Sequence, residues 1–307
     1  MASLFDEWSR RLEERNYSKR TLETHRWAMR GFLRWAQEQN LSLAAQMTKP
    51  ILECYQSWLY RYRKIDGQPL GVTTQRARLG ALQRFFSWLC RQNHLKANPA
   101  ADLELPRKVP QSLPRGLTME ELERLMQLPD CSDPLGVRGR AMLETLYATG
   151  IRRSELVGLD VSDLEMNPAQ IHVRKGKGGR DRVVPVGQRA LVWLKRYLEN
   201  TRPILMPCTN EPAMFLSGYG GRFSPGYLGN WVRQMLTAAG IQKAGSCHLL
   251  RHTCATHMME NGADIRFIQE LLGHARLDTT QIYTKVSIQA LQAVYQRCHP
   301  AAGSLCA

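Results

Sequence analysis

From Leu4 to Gln92 apolar residues recur at three- and four-residue intervals, the spacing of helices that bury one face. Ser18 is placed to cap a helix running to about Gln39, with Leu22, Met29, Phe32, Leu33 and Ala36 on one side. Thr48, Lys49 and Pro50 open another, since proline is well tolerated in a first turn, and Ile51, Tyr55, Trp58 and Leu59 follow in phase. Residues 72–92 repeat the pattern with Leu79, Leu82, Phe85, Phe86 and Leu89, and a shorter segment, 4–14, comes first. The period predicts a compact helical module over residues 1–97. Its outer faces are basic, through Arg26, Arg30 and Arg34 on one helix and Arg76, Arg78, Arg84 and Arg91 on another.

The pattern then breaks. Residues 98–116 (NPAADLELPRKVPQSLPRG) hold four prolines and no apolar period, the composition of a linker. Thr118 with Glu121 three residues on is a capping box, and it opens a second domain, 117–307. Helices are expected there near 118–128, 136–149, 188–200, 225–239, 247–261, 264–273 and 288–297. Two short strands, 170–174 and 182–186, flank a glycine-rich basic turn and predict a hairpin. These strands are too few for a doubly wound sheet. The expected class is mainly α with a small antiparallel β-sheet, in two domains.

Charge changes the picture. Lys and Arg number 42 against 27 Asp and Glu, a net charge of +15, and the excess is spread over both domains rather than gathered in a tail. A polyanionic partner is the natural reading, because each Lys or Arg at a phosphate releases condensed counterions. The eight Cys are scattered without metal spacing, which suits free thiols in a reducing compartment. The first residues are charged and amphipathic, and no stretch approaches a membrane span, so a cytoplasmic protein is expected.

Five clusters carry candidate chemistry. In ATGIRRSEL a helix stops at Gly150 and restarts at once, leaving Arg152 at the junction. Lys177 sits among glycines on the hairpin turn, where it can reach a DNA groove. In CHLLRHT, His248, Arg251 and His252 share one helix face. The two His have the spacing of a zinc pair, but Leu249 stands where the metalloprotease pattern needs Glu, and Arg251 would repel a cation. A phosphate suits that face better, since Arg forks onto two phosphate oxygens. His274 follows Gly273 at a helix end, and Tyr283 closes a polar turn nine residues later.

In this order and spacing, ATGIRRSEL, KGKGGRDRVVP, HLLRHTCATHM and LLGHARLDTTQIYTKV resemble the tyrosine recombinase (phage integrase) family, and most of all its Xer-type and compact mobile-element members. The resemblance spans nearly the whole chain. It implies a two-domain DNA clamp, a helical core-binding domain joined to a mixed α/β catalytic domain. It implies Tyr283 as nucleophile, Arg152 and Arg251 as phosphate clamps, Lys177 as general acid, His248 as proton-transfer partner and His274 as hydrogen-bond donor to the phosphate. Glu155 is similar to the acidic residue that steadies the family's site. No cofactor or metal is implied. The implied partners are double-stranded DNA recombination sites and further subunits, in a homotetramer or a mixed tetramer with a related recombinase on two duplexes, at the bacterial nucleoid. A C-terminal helix with Ile288, Leu291, Val294 and Tyr295 would dock into a neighbouring subunit. A catalytically silent DNA-binding accessory protein on the same fold is the alternative, and a nuclease using the histidines with a metal is a further one.

The chemistry needs these groups. Attack on a phosphodiester builds negative charge on the non-bridging oxygens, and without a metal cationic side chains must stabilise it. The leaving 5′ oxygen needs a proton, which a lysine with a pKa near 10 can supply at neutral pH. A covalent intermediate conserves the bond, so rejoining needs no ATP.

Overall fold

The computed structural model describes residues 1–107, 116–174, 181–206, 210–273 and 288–302. The chain divides into two compact units, Met1–Gln111 and Ser112–Ala307.

The first unit is helical: α1 (Ala2–Glu14), α2 (Lys19–Glu38), α3 (Lys49–Arg61) and α4 (Val72–Arg91). Ser18 caps α2 by accepting from the Thr21 N–H at 3.2 Å. The helical period brings Met29, Phe32, Leu52, Tyr55, Leu59, Leu79, Leu82, Phe85 and Phe86 into one core, all out of contact with solvent. Aromatic rings interlock there: Phe32 meets Tyr55 edge-on at 5.0 Å and Trp8 meets Phe85 at 5.5 Å. On the outside Trp27 stays half exposed, with the Arg78 guanidinium stacked 4.3 Å from its ring centre.

Part of the stretch expected as linker belongs to this unit. Ala100 and Leu103 are buried in its core, and the main chain beside them is held by side chains. Gln83 donates to the Leu103 carbonyl at 3.0 Å, Gln56 to the Glu104 carbonyl at 2.9 Å, and Arg76 to the Pro106 carbonyl. An extended, proline-rich segment has no period to betray burial, and two apolar side chains suffice to strap it down.

The second unit is built around α6 (Pro134–Thr149), most of whose residues are buried. Before it, α5 (Met119–Gln127) starts at the Thr118 capping box, with the Glu121 N–H 3.2 Å from the Thr118 hydroxyl and the Thr118 N–H 2.7 Å from the Glu121 carboxylate. After it come α7 (Arg153–Gly158) and the strands β1 (Leu164–Glu165), β2 (Gln170–Val173) and β3 (Arg182–Pro185). These form one antiparallel sheet in the order β1-β2-β3, with Ile171 opposite Leu164 on one side and Val184 on the other. Four helices follow that the periodicity anticipates: α8 (Gln188–Arg196), then, after the single turn α9 (Arg202–Leu205), α10 (Pro225–Ala238), α11 (Cys247–Glu260) and α12 (Ile265–Leu272). Glu144 of α6, wholly buried, is paired with Arg140 at 2.8 Å and with Arg189 of α8 at 2.7 Å.

The last helix, α13 (Ile288–Cys298), lies on its own unit, with Val294, Tyr295 and Cys298 in the same core as α6 and α11. His299 beyond it is buried between Tyr147 and Tyr295, with ring centres 4.8 and 4.7 Å away. Burial pushes its imidazole down to about 3, so it is neutral at physiological pH. No helix of the described residues is long and apolar enough to cross a membrane.

Candidate active site

The site begins where α6 ends. Gly150 closes that helix in the left-handed conformation (φ 59°), its N–H bonded to the Leu146 carbonyl at 3.1 Å. A Cβ there would stand 2.6 Å from the Leu272 side chain, so glycine is required by space as well as by φ. The turn delivers Arg152, in extended conformation, to the start of α7, and Glu155 reaches back to accept its N–H at 2.8 Å. The same carboxylate accepts the Arg152 Nη1 at 2.7 Å.

Arg251 comes from α11, one turn after His248. Only 8% of it is exposed, and it spans two main-chain segments: Nη1 donates to the Gly150 carbonyl at 2.6 Å and Nη2 to the Leu272 carbonyl at 2.7 Å. Arg152 donates to the next carbonyl, that of Gly273, at 2.9 Å. A third guanidinium, that of Arg182 at the head of β3, donates from Nε to the Leu271 carbonyl at 3.2 Å. Three arginines thus hold three successive carbonyls at the end of α12. The final carbonyls of a helix have no partner within it and carry the negative end of its dipole, so cations gather there. Gly273 itself is left-handed (φ 62°) and ends α12.

The electrostatics follow from this crowding. Burial alone would raise the Glu155 carboxyl, but Arg182 and then Arg152 override it and hold it down at about 2. Arg251 is pulled down to about 10 by burial first, with Arg152 and Arg182 adding to the effect. It remains charged at neutral pH. His248, exposed on the first turn of α11, has its imidazole lowered by desolvation and then by Arg251, Arg153 and Arg152. Arg152 and Arg251 each spend two of a guanidinium's five N–H groups on the bonds above.

Of the residues singled out in the sequence, Arg152, Glu155 and Arg251 meet in one cluster, with His248 beside it. Lys177, His274 and Tyr283 lie outside the described residues; along the chain they fall between β2 and β3, directly after Gly273, and between α12 and α13. Sequence reasoning missed Arg182 as a member of the site. Its signal, a charged residue heading a strand that goes on Val183-Val184, reads equally well as a strand end. The three carbonyls have no sequence signature at all.

Comparison with known proteins agrees across the chain. Residues 115–290 match the model of the phage integrase family, and residues 4–94 match that of the phage integrase N-terminal SAM-like domain. The tyrosine recombinase XerC 2 of Ralstonia nicotianae is 48% identical over 286 residues, covering 93% of this chain and 82% of that protein. XerC of Escherichia coli is 38% identical over 289 residues, covering 94% and 93%. Among solved structures, XerH bound to a palindromic difH substrate in a post-cleavage complex superposes with a TM-score of 0.68 at 25% identity, over 94% of this chain and 84% of that one. A lambda integrase dimer bound to a core site gives 0.68 at 20% identity, over 92% and 99%, a likeness of fold.

Proposed function

Because the chain belongs to the phage integrase family and is a site-specific tyrosine recombinase of the Xer type, we propose that it cuts DNA by attack of Tyr283 on a backbone phosphorus, keeping the strand as a 3′-phosphotyrosine. The bond from the phenol oxygen to phosphorus forms as the bond from phosphorus to the 5′ oxygen breaks. His248 takes the phenol proton, and Lys177 gives a proton to the departing 5′ oxygen. Arg152 and Arg251 hold the non-bridging oxygens as charge builds on them, and His274 donates a further hydrogen bond. A 5′-hydroxyl from another strand runs the same steps backwards and completes the exchange.

The observation that carries this reading is the pair of guanidiniums. Arg152 and Arg251 come from segments about a hundred residues apart, yet both are fixed on consecutive carbonyls of one helix end. Such rigid placement costs no reorganisation when the charge develops. The lowered pKa of His248 supports its part, since a neutral imidazole can accept a proton.

The first unit is the core-binding domain, gripping duplex DNA with the basic face of α2 and α4. The partners are double-stranded recombination sites and three further subunits, identical or related. The lambda integrase tetramer bound to a Holliday junction, of the same fold, supports such an arrangement. The protein works in the cytoplasm, on the DNA of the nucleoid.

The test is covalent capture. A duplex selected by the protein from a randomised pool, nicked beside the cleavage point, traps the enzyme once the short strand diffuses away. Wild-type protein is expected to form a denaturation-resistant adduct in the presence of EDTA. Tyr283→Phe should form none, and Arg251→Ala should form it about 10²–10³ times more slowly. An adduct that persists in Tyr283→Phe, or that EDTA abolishes, refutes the reading.

A further inference from the structure

We propose that Arg182 is a positioning residue of this site, aiming the Arg152 guanidinium through a shared carboxylate and the main chain at the end of α12. This rests on the recombinase reading above and adds to it a residue that does not itself touch the phosphate.

The geometry makes Glu155 the intermediary. Its carboxylate has about four lone-pair positions, and among the described residues four N–H groups point at it. Oε2 receives the Arg152 main-chain N–H at 2.8 Å and the Arg182 Nη2 at 2.8 Å. Oε1 receives the Arg152 Nη1 at 2.7 Å and the Arg182 Nη1 at 3.1 Å. Arg182 therefore forks across both oxygens, while Arg152 meets the same group from its own turn. Only 4% of the Glu155 side chain and 10% of the Arg182 side chain are exposed. Without Arg182 half of a buried carboxylate loses its partners, and it turns toward Arg152, the only guanidinium among the described residues left bonded to it.

Charge gives a second reason. A carboxylate paired with Arg152 alone would neutralise it and leave little attraction for a phosphate. Sharing Glu155 between two guanidiniums leaves Arg152 with much of its charge. One acid among Arg152, Arg182 and Arg251 keeps the cluster positive. Arg182 is also tied to the frame that holds the other two, through the Leu271 carbonyl. Space is tight on that side: a Cβ on Gly273 would stand 3.0 Å from the Arg182 Cδ and Nε.

The inference is tested with full-length Arg182→Met, Arg182→Lys, Glu155→Gln and the Arg182→Met/Glu155→Gln double variant, on the nicked duplex described above. Two quantities are measured: affinity by gel shift, and the single-turnover rate of adduct formation. Arg182→Met should lower the rate about 10- to 100-fold, the usual consequence of misaiming a group by an ångström or less, with affinity held within about twofold. The double variant should be no slower than the slower single variant. Arg182→Lys keeps the charge without the fork and should fall between wild type and Arg182→Met. If Arg182→Met does not fold, Arg182→Lys decides, supporting the inference by a slower rate at unchanged affinity and melting temperature. A wild-type rate in the folded Arg182→Met variant, or in Arg182→Lys when that variant decides, overturns it. So do losses that multiply in the double variant, or affinity that falls in step with rate, as a direct phosphate contact would give. Wild-type protein that traps no DNA defeats the recombinase reading itself, whereas normal trapping by every variant defeats only the role of Arg182.

Discussion

His248 and Arg251 sit one turn apart on α11, and the same cationic surroundings leave them in opposite charge states. Arg251, brought down to about 10, is still a cation at neutral pH and can clamp an anion. The imidazole of His248 lies below its ordinary 6.5, because partial desolvation and then three neighbouring guanidiniums disfavour a further positive charge. A histidine lowered in this way is mostly neutral above pH 6.5 and reaches half-protonation only beneath that value. Adduct formation should therefore decline on acidification, with the midpoint of the fall below pH 6.5. His248→Asn should be slower throughout and lack that acid limb. Single-turnover rates across the range check this, and an acid limb centred above pH 6.5 would contradict the role given to His248. At this scale the cluster was legible: Arg152, Glu155, His248 and Arg251, which the fold brings together, could be named because each lies in a short motif. Arg182 could not, because its partner Glu155 is 27 positions away and only the fold brings them together.

The elements were legible where a pattern lasts. The α2 and α5 starts at Ser18 and Thr118, and the long helices of both units, fall close to where caps and periodicity put them. The two-residue β1 and the single turn α9 were not foreseen, because so short an element takes its shape from neighbours rather than from its own residues. The burial of Ala100 and Leu103 escaped for a related reason, as an extended strap has no repeat. The junction of α6 and α7 shows how much one residue can carry. Gly150 is left-handed, faces Leu272 and offers its carbonyl to Arg251. Gly150→Ala adds left-handed strain of about 1–2 kcal/mol and an overpacking cost of about 1–3 kcal/mol. A loss near 3 kcal/mol is expected in urea denaturation of the full chain, with slower adduct formation even where the variant is folded. A variant as stable as wild type would show that the turn tolerates a side chain.

For the whole molecule the net charge of +15 becomes a statement about salt. Each cation that replaces a counterion at a phosphate adds about one unit to the slope of log affinity against log salt. Arg30 and Arg34 stand exposed on α2, on the side where Trp27 and Arg78 stack. Arg30→Gln/Arg34→Gln should weaken duplex binding and lower that slope by about two, measured by gel shift over a salt series. At saturating protein it should leave the rate of adduct formation near wild type. An unchanged slope would take the α2 face out of the DNA interface. The helix end at residues 271–273 bears on how firmly the arginine cluster is held. Its three acceptors are peptide oxygens, which no exchange of the Leu271 or Leu272 side chain can delete while the helix persists. That share of the anchoring is inherited from the backbone itself, and survives whatever side chains the helix end comes to carry.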